Sequence, residues 1–184
     1  EALTRIKFVR QMELSGSDSP GRNNYPSAEE SLKHLLWLSD PEAVFEAALR
    51  IYDLNLAAMV ALNSQKDPKE FLPFLQELER MPAALMQYNI DLRLQRYENA
   101  LRHLGSAGDG YYEDCMRLMR SYPQLFPLGL KLISDPVKKA QILDAWGDHL
   151  SSMKSFEDAA VAYLCCSSLE KALKAYRSSG NWRG

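Results

Sequence analysis

Residues 141–184, QILDAWGDHLSSMKSFEDAAVAYLCCSSLEKALKAYRSSGNWRG, carry the pattern that decides the fold. They divide into two amphipathic helical segments, a short polar turn and the start of a further helix, with apolar residues three or four positions apart. An alanine followed four positions later by a tyrosine occurs at Ala48/Tyr52, Ala159/Tyr163 and Ala172/Tyr176. Small residues and aromatic knobs at such spacings are typical of stacked tetratricopeptide (TPR) hairpins, which repeat about every 34 residues. The pattern predicts an all-α fold, a right-handed α-solenoid of TPR-like hairpins with about ten helices.

Composition excludes several classes of protein. The net charge of -2 argues against a dedicated nucleic-acid surface, which needs clustered lysine and arginine. The sequence contains no continuous apolar run of the length that a membrane span requires. The three cysteines, Cys115, Cys165 and Cys166, are odd in number and form a poor disulfide framework. They predict packing residues in a reducing compartment, the cytoplasm, with the nucleus as a second location.

Helix starts are marked by capping residues along most of the chain. The pairs Ser27/Glu30 and Ser167/Glu170 have the spacing of a capping box. Three Asp-Pro pairs place an N-cap acceptor before a proline at the first helical position, and they are Asp40-Pro41, Asp67-Pro68 and Asp135-Pro136. These signals predict a helix over residues 1–14, a polar linker over 15–26 and a TPR-like array over 27–184. Because the chain begins inside one helix and ends where another starts, we expect a fragment of a larger solenoid.

Groups that could carry chemistry have weak support. The histidines His34, His103 and His149 lack metal-ligand spacing, so neither a metal nor another cofactor is predicted. The neighbours Cys165 and Cys166 could form a redox pair, but a packing role fits their helical position better. Residues 105–110, GSAGDG, have the glycines of a phosphate loop but follow a helix, which favours a helix–helix turn.

Two surface features have both a binding and a structural interpretation. Basic residues cluster with tyrosines around Arg93, Arg96 and Arg102 and could bind RNA. Acidic residues are interleaved with them, so a solvated, salt-bridged face is the simpler interpretation. The stripe of Phe71, Phe74, Leu75 and Leu78 could line a partner groove, although burial in a core is more common.

The middle of the chain resembles a known family. Residues 65–75, QKDPKEFLPFL, together with Met81-Pro82 and the run from Ile90 to Leu101, are similar to the largest, scaffold subunit of the Elongator complex, the IKAP-like family. The segments Tyr25-Pro26 and residues 180–182, GNW, fit the same family. The resemblance extends over nearly all the chain from about Tyr25.

This resemblance implies that the chain is an internal piece of the family's C-terminal helical-repeat region. The expected function is a non-catalytic scaffold for the modification of wobble uridines in tRNA, with no enzymatic activity of its own. The expected partners are the catalytic radical-SAM and acetyltransferase subunit and the propeller subunit, with tRNA met only indirectly. Homodimerisation would use regions outside this segment.

The candidate partner-binding residues come from the long motif and the run that follows it, and they are Lys69, Phe71, Tyr88, Asp91, Arg96 and Tyr97. Aromatic and arginine side chains are the usual energetic anchors of interfaces. Two alternatives stay open. One is an RNA-binding helical module that uses the Arg93/Arg96/Arg102 face, and the other is a hydrolase or redox enzyme that uses Cys115 or the Cys165/Cys166 pair.

Overall fold

The computed structural model describes residues 1–14, 26–64 and 67–180, and within these ranges it contains helices and turns but no strand. The all-α prediction is confirmed, although the described residues form twelve α-helices rather than about ten. The helices are α1 Ala2–Leu14, α2 Ala28–Leu38, α3 Pro41–Arg50, α4 Leu54–Asn63, α5 Pro68–Glu79, α6 Ala83–Arg93, α7 Tyr97–Ser106, α8 Tyr112–Ser121, α9 Phe126–Leu132, α10 Pro136–Ser152, α11 Phe156–Cys165 and α12 Leu169–Ser179. None of the helices within these ranges combines the length and apolar character of a bilayer-crossing segment.

The chain folds as two compact units, residues Glu1–Leu94 (unit 1) and Gln95–Gly184 (unit 2). The sequence predicted boundaries at residues 14, 26 and 27 and none near residue 94. The predicted division into a helix, a linker and a TPR-like array stays a prediction. The predicted linker falls almost entirely on residues 15–25, which lie outside the described ranges.

Unit 1 packs α1 to α6 around an apolar core. Its largest fully buried side chains are Leu32, Phe45, Leu49, Leu56, Leu78 and Ile90. On α5, Phe71, Leu75 and Leu78 are buried in this core and Phe74 packs against it half-buried. The stripe on α5 is therefore a core face rather than a partner groove, as helix amphipathicity alone favours.

Four of the predicted helix starts are confirmed by their hydrogen bonds. The backbone N–H of Glu30 donates to Ser27 Oγ at 3.2 Å, and the backbone N–H of Ser27 donates to Glu30 Oε2 at 3.1 Å, which completes the capping box. The carboxylates of the three Asp-Pro pairs accept backbone N–H groups of the following first turn at 2.9–3.2 Å, and these aspartates are Asp40, Asp67 and Asp135.

The capping box predicted at Ser167 and Glu170 is wrong. Ser168 is the N-cap of α12, and Ser167 has a left-handed backbone with φ of 61°. The N–H of Ser167 donates to the carbonyl of Leu164 at 3.1 Å, and the N–H of Ser168 donates to the carbonyl of Tyr163 at 2.9 Å. These are the two bonds of a Schellman motif, so Ser167 closes α11 instead of opening α12.

The same left-handed turn occurs at other hairpins within the units. Lys154 follows α10 with φ of 63°, and its N–H donates to the carbonyl of Ser151 at 3.1 Å. Tyr52 follows α3 with φ of 57°, and its N–H donates to the carbonyl of Leu49 at 2.8 Å. Glycine is the usual residue at such positions. Because serine, lysine and tyrosine occupy them here, the sequence alone does not reveal these turns.

Unit 2 packs α7 to α12, and its last hairpins are built on small residues. Ala159, Ala160, Ala172 and Ala175 form a buried cluster with Tyr163. Gly147 on α10 makes room for this tyrosine, because a Cβ at Gly147 would lie 2.6 Å from the ring. The glycine-containing segment after α7 is a turn that leads through a short 3-10 helix, Asp109–Tyr111, into α8.

Candidate partner-binding surfaces

The residues predicted from the long motif on α5 occupy different environments. Lys69 is exposed in the first turn, and its backbone N–H donates to Asp67 Oδ1 at 2.9 Å. Phe71 is only 4% exposed and packs in the core of unit 1. Phe71 is thus placed where it stabilises the unit, and burial argues against its role as a direct anchor for a partner.

The two candidates on α6, Tyr88 and Asp91, differ in their burial. Asp91 is fully buried, and its Oδ2 accepts a hydrogen bond from the hydroxyl of Tyr52 at 2.8 Å. A buried carboxylate needs donors because burial removes its water, so the pair joins α6 to the end of α3. Tyr88 is half-buried. Asp91 therefore packs inside unit 1, and burial argues against its direct contact with a partner.

Arg96 and Tyr97 belong to unit 2. Arg96 is the half-buried N-cap residue of α7. Tyr97 stacks on Tyr122, with ring centroids 3.7 Å apart and an angle of 20° between the planes. The hydrogen bond with Tyr122 raises the pKa of Tyr97 above its usual value. The binding role of the six candidates stays a prediction, and Lys69, Tyr88, Arg96 and Tyr97 retain exposed or half-exposed surface.

The arginines of the proposed RNA-binding face are divided between the units. Arg93 lies in unit 1, where its guanidinium carbon sits 4.5 Å from the centroid of the Phe74 ring. Arg96 and Arg102 lie in unit 2, six positions apart at the start and middle of α7. Since an α-helix turns once in about 3.6 residues, these two side chains point in different directions.

The cysteines differ in their access to solvent. Cys115 is buried, and this burial raises the pKa of its thiol to about 11. Reactive thiols have a lowered pKa, so Cys115 is poorly suited to nucleophilic chemistry. Cys165 is exposed, and the Cys166 thiol donates to the carbonyl of Tyr163 at 3.2 Å. Among the described residues, no cluster of histidine, cysteine and carboxylate side chains has the arrangement to hold a metal ion.

Unit 2 also contains a groove that the sequence did not predict, which we call the α8/α10 groove. It encloses about 800 Å³ and is lined by residues Tyr112, Glu113, Met116, Arg120, Phe126, Val137, Ala140, Gln141, Asp144, Ala145, Asp148, His149, Cys166 and Ser168. One end is fixed by the hydroxyl of Tyr112, which donates to the backbone carbonyl of Lys138 at 3.1 Å. Burial raises the pKa of Tyr112, so this hydroxyl keeps its proton well above neutral pH.

A polar network borders the groove and joins three helices. The ammonium of Lys171 on α12 donates to Asp144 Oδ2 at 2.7 Å and to Asp148 Oδ1 at 3.0 Å, both on α10. The hydroxyl of Tyr163 on α11 donates to Asp148 Oδ1 at 2.8 Å, and that of Ser168 donates to Asp144 Oδ1 at 3.2 Å. The network therefore ties both α11 and the beginning of α12 to α10.

The network raises the pKa of two of its members. Its hydrogen bond to Asp144 raises the pKa of Lys171 above the usual value, and Asp148 acts in the same direction. Burial raises the pKa of Tyr163 to about 12, and the bond to Asp148 adds to the effect. The sequence signal was present, since Asp144 and Asp148 are one helical turn apart on α10. Lys171 lies on another helix, so only the folded structure brings it to them.

Helices joined in pairs by short left-handed turns, with small residues between them, define the class of all-α helical-repeat proteins. The family models agree with this class. Residues 1–78 match the model described as "ELP1 alpha-solenoid", and residues 85–184 match the one described as "ELP1 TPR domain". The chain belongs to this ELP1 family, and its fold is an all-α solenoid with TPR-like repeats.

Relatives from distant organisms support this assignment. "Elongator complex protein 1" from Arabidopsis thaliana is 65% identical over 185 residues, which cover all of this chain and 14% of the relative. The mouse protein of the same name is 40% identical over 179 residues, covering 97% of this chain and 13% of the relative. The Saccharomyces cerevisiae protein of the same name is 38% identical over 163 residues, covering 87% of this chain and 12% of the relative. The chain therefore corresponds to a small part of each relative, and these matches do not support the expected position in the C-terminal region.

Proposed function

We propose that this chain is a non-catalytic scaffold segment of an Elongator complex, which supports assembly of the catalytic and propeller subunits for modification of wobble uridines in tRNA. The observation that carries the proposal is the match of both parts of the chain to ELP1 models, together with relatives named Elongator complex protein 1. The cytoplasm is the proposed location.

The architecture supports a role in holding other proteins. Helical repeats offer extended surfaces, and a partner can contact side chains from several hairpins at once. The buried thiol of Cys115 and the salt-bonded carboxylates of Asp144 and Asp148 are engaged in packing and in helix–helix bonds. These groups therefore stabilise the repeats, which fits a role in assembly.

Subunit recovery from the full-length protein tests this function. Removing the segment that corresponds to residues 1–184 should lower co-purification of the catalytic or the propeller subunit at least about tenfold, the loss expected when an interface loses its main anchors. The level of modified wobble uridine in tRNA should fall with it. Unchanged recovery of both subunits would refute the scaffold proposal.

Point variants guard against a general failure to fold. Lys69→Glu reverses an exposed charge in the long motif, and Lys131→Glu is a matched exposed change in α9 outside the candidate set. We expect Lys69→Glu to weaken recovery of one subunit by about three- to tenfold, as for a charge at the edge of an interface, and Lys131→Glu to leave it unchanged. Equal behaviour of the two variants would remove Lys69 from the interface.

A further inference from the structure

The α8/α10 groove has the shape of a docking site. One face of α10, formed by residues three or four positions apart, lines it with Ala140 and Ala145 at its centre. The short side chains of these alanines leave room for another chain to approach the helix closely. Met116 and Phe126, which are 3% and 1% exposed, form an apolar floor. The volume of about 800 Å³ suits a few side chains, since ligand pockets usually enclose about 300–1,000 Å³.

The electrostatics of the groove select a class of ligand. Its lining contains three carboxylates, those of Glu113, Asp144 and Asp148, and one guanidinium, that of Arg120. Lys171 adds one positive charge at the border, and its ammonium donates hydrogen bonds to both Asp144 and Asp148. The side chain of Asp148 is still 57% exposed and that of Asp144 35% exposed. The groove is therefore negative at neutral pH and faces solvent with carboxylates on both α8 and α10.

We propose that the α8/α10 groove binds a short segment of a partner protein in which lysine or arginine side chains flank small apolar ones. The basic groups meet Glu113 and Asp148, and the apolar side chains lie over Ala140, Ala145 and Met116. Complementary charge at such a site directs partner choice and the association rate. The same carboxylates repel a phosphate backbone, so we expect RNA to bind this groove more weakly than a basic peptide.

This inference rests on the proposed scaffold function and adds a site to it. Removal of the whole segment tests the scaffold function through recovery of the complex. The groove is tested separately on the chain itself, so a groove that binds no peptide leaves the scaffold result standing.

The test selects peptides from a random 12-residue library displayed on phage, using the intact chain as bait. The best selected sequence is then synthesised with a fluorescent label and titrated by fluorescence anisotropy. We expect selected peptides to be enriched in lysine and arginine, and their affinity to fall as salt is raised because charge pairs are screened. A labelled oligouridine of 12 nucleotides serves as the RNA comparison and should bind at least tenfold more weakly.

Matched variants locate the binding site. Glu113→Lys changes an exposed groove residue and Gln141→Trp fills the groove from α10, while Asp158→Lys makes the same kind of charge change on α11 outside the lining. The first two should weaken binding of the selected peptide at least tenfold, and Asp158→Lys less than twofold. Circular dichroism confirms that the variants keep their helices. An unenriched or acidic selection, equal effects of the three variants, or tighter binding of oligouridine would each overturn the proposal.

Discussion

Two tyrosines of the same sequence pattern, Tyr52 in unit 1 and Tyr163 in unit 2, donate hydrogen bonds to an aspartate on another helix, both at 2.8 Å. Each follows an alanine by four positions. Their acceptors differ, because Asp91 is fully buried whereas the side chain of Asp148 is 57% exposed. The same pattern therefore gives a buried polar bond in one unit and the border of a solvent-facing groove in the other.

The surroundings of the two pairs explain this difference. In unit 1, Asp91 is fully buried, and the core of this unit contains large apolar side chains such as Phe45 and Leu49. In unit 2, alanines pack α11 against α12, and the carboxylate of Asp148 stays at the groove, where it shares Lys171 with Asp144. Small residues bring helices close together but cover little of the polar edge. Burial of the acceptor, rather than the tyrosine pattern itself, should therefore set the energetic value of each bond.

The largest expected effect is a difference in the free energy of unfolding between Tyr52→Phe and Tyr163→Phe. Tyr52→Phe removes a donor from a buried carboxylate and should lower the free energy of unfolding by about 3 kcal/mol, whereas Tyr163→Phe should cost about 1 kcal/mol because water can reach Asp148. Urea denaturation followed by circular dichroism measures both. Equal losses for the two variants would show that burial does not distinguish the pairs.

Alkaline pH should weaken the bond between Tyr163 and Asp148 in unit 2 and so lower the stability of the protein. The pKa of Tyr163 is raised from 10 to about 12, so its contribution is complete below pH 10 and is lost as the pH rises through 12. A shift of this size corresponds to at most about 2–3 kcal/mol, and the loss is smaller here because water reaches Asp148. The pKa of Lys171 is also raised, so deprotonation of this lysine should further lower the stability at the most alkaline pH values. Stability measured in urea at intervals from pH 9 to 12 should fall, and Tyr163→Phe should make the fall shallower. An equally steep fall in the variant would contradict the assignment.

Glycine substitutions test the close packing that places Tyr163. A Cβ at Gly147 would lie 2.6 Å from the Tyr163 ring, and the bond to Asp148 restrains that ring, so Gly147→Ala should cost about 1–2 kcal/mol. Gly105→Ala is the matched control, because Gly105 lies in α7 and nothing lies within 4 Å of its added Cβ. The control should stabilise the protein by about 0.5–1 kcal/mol, the usual advantage of alanine in a helix. Thermal unfolding of the two variants gives the comparison.

Much of the fold was predictable from sequence because helix starts and buried stripes are local signals. The Asp-Pro caps, the box at Ser27 and the apolar face of α5 depend on residues within one or two turns of each other, and the structure confirms them. The resemblance through the long motif identified the family correctly. What failed were features that depend on distant residues or on unusual backbone, namely the α8/α10 groove, the Lys171 network and the turn at Ser167.

The site residues show the same limit. Phe71 lies in the long motif and Asp91 in the run that follows it, but packing alone can make a motif distinctive, and both residues are buried. Exposure is decided by the neighbouring helices, which a single sequence does not specify. The pair Asp144 and Asp148 was visible as acidic residues on one helix face, yet its importance comes from Lys171 and Tyr163, which lie 15 to 27 positions further along the chain.

The smallest expected effect concerns the left-handed turns that both units share. Ser167→Gly should stabilise the chain by up to about 1 kcal/mol, because glycine adopts a positive φ without the steric cost that other residues carry. Tyr52→Gly relieves the same backbone in unit 1 but removes the bond to Asp91, so it should destabilise the protein. Chemical denaturation of both variants tests whether one backbone conformation gives opposite signs in the two units. A loss of about 1 kcal/mol in Ser167→Gly would instead indicate that the Ser167 side chain caps α12 after all.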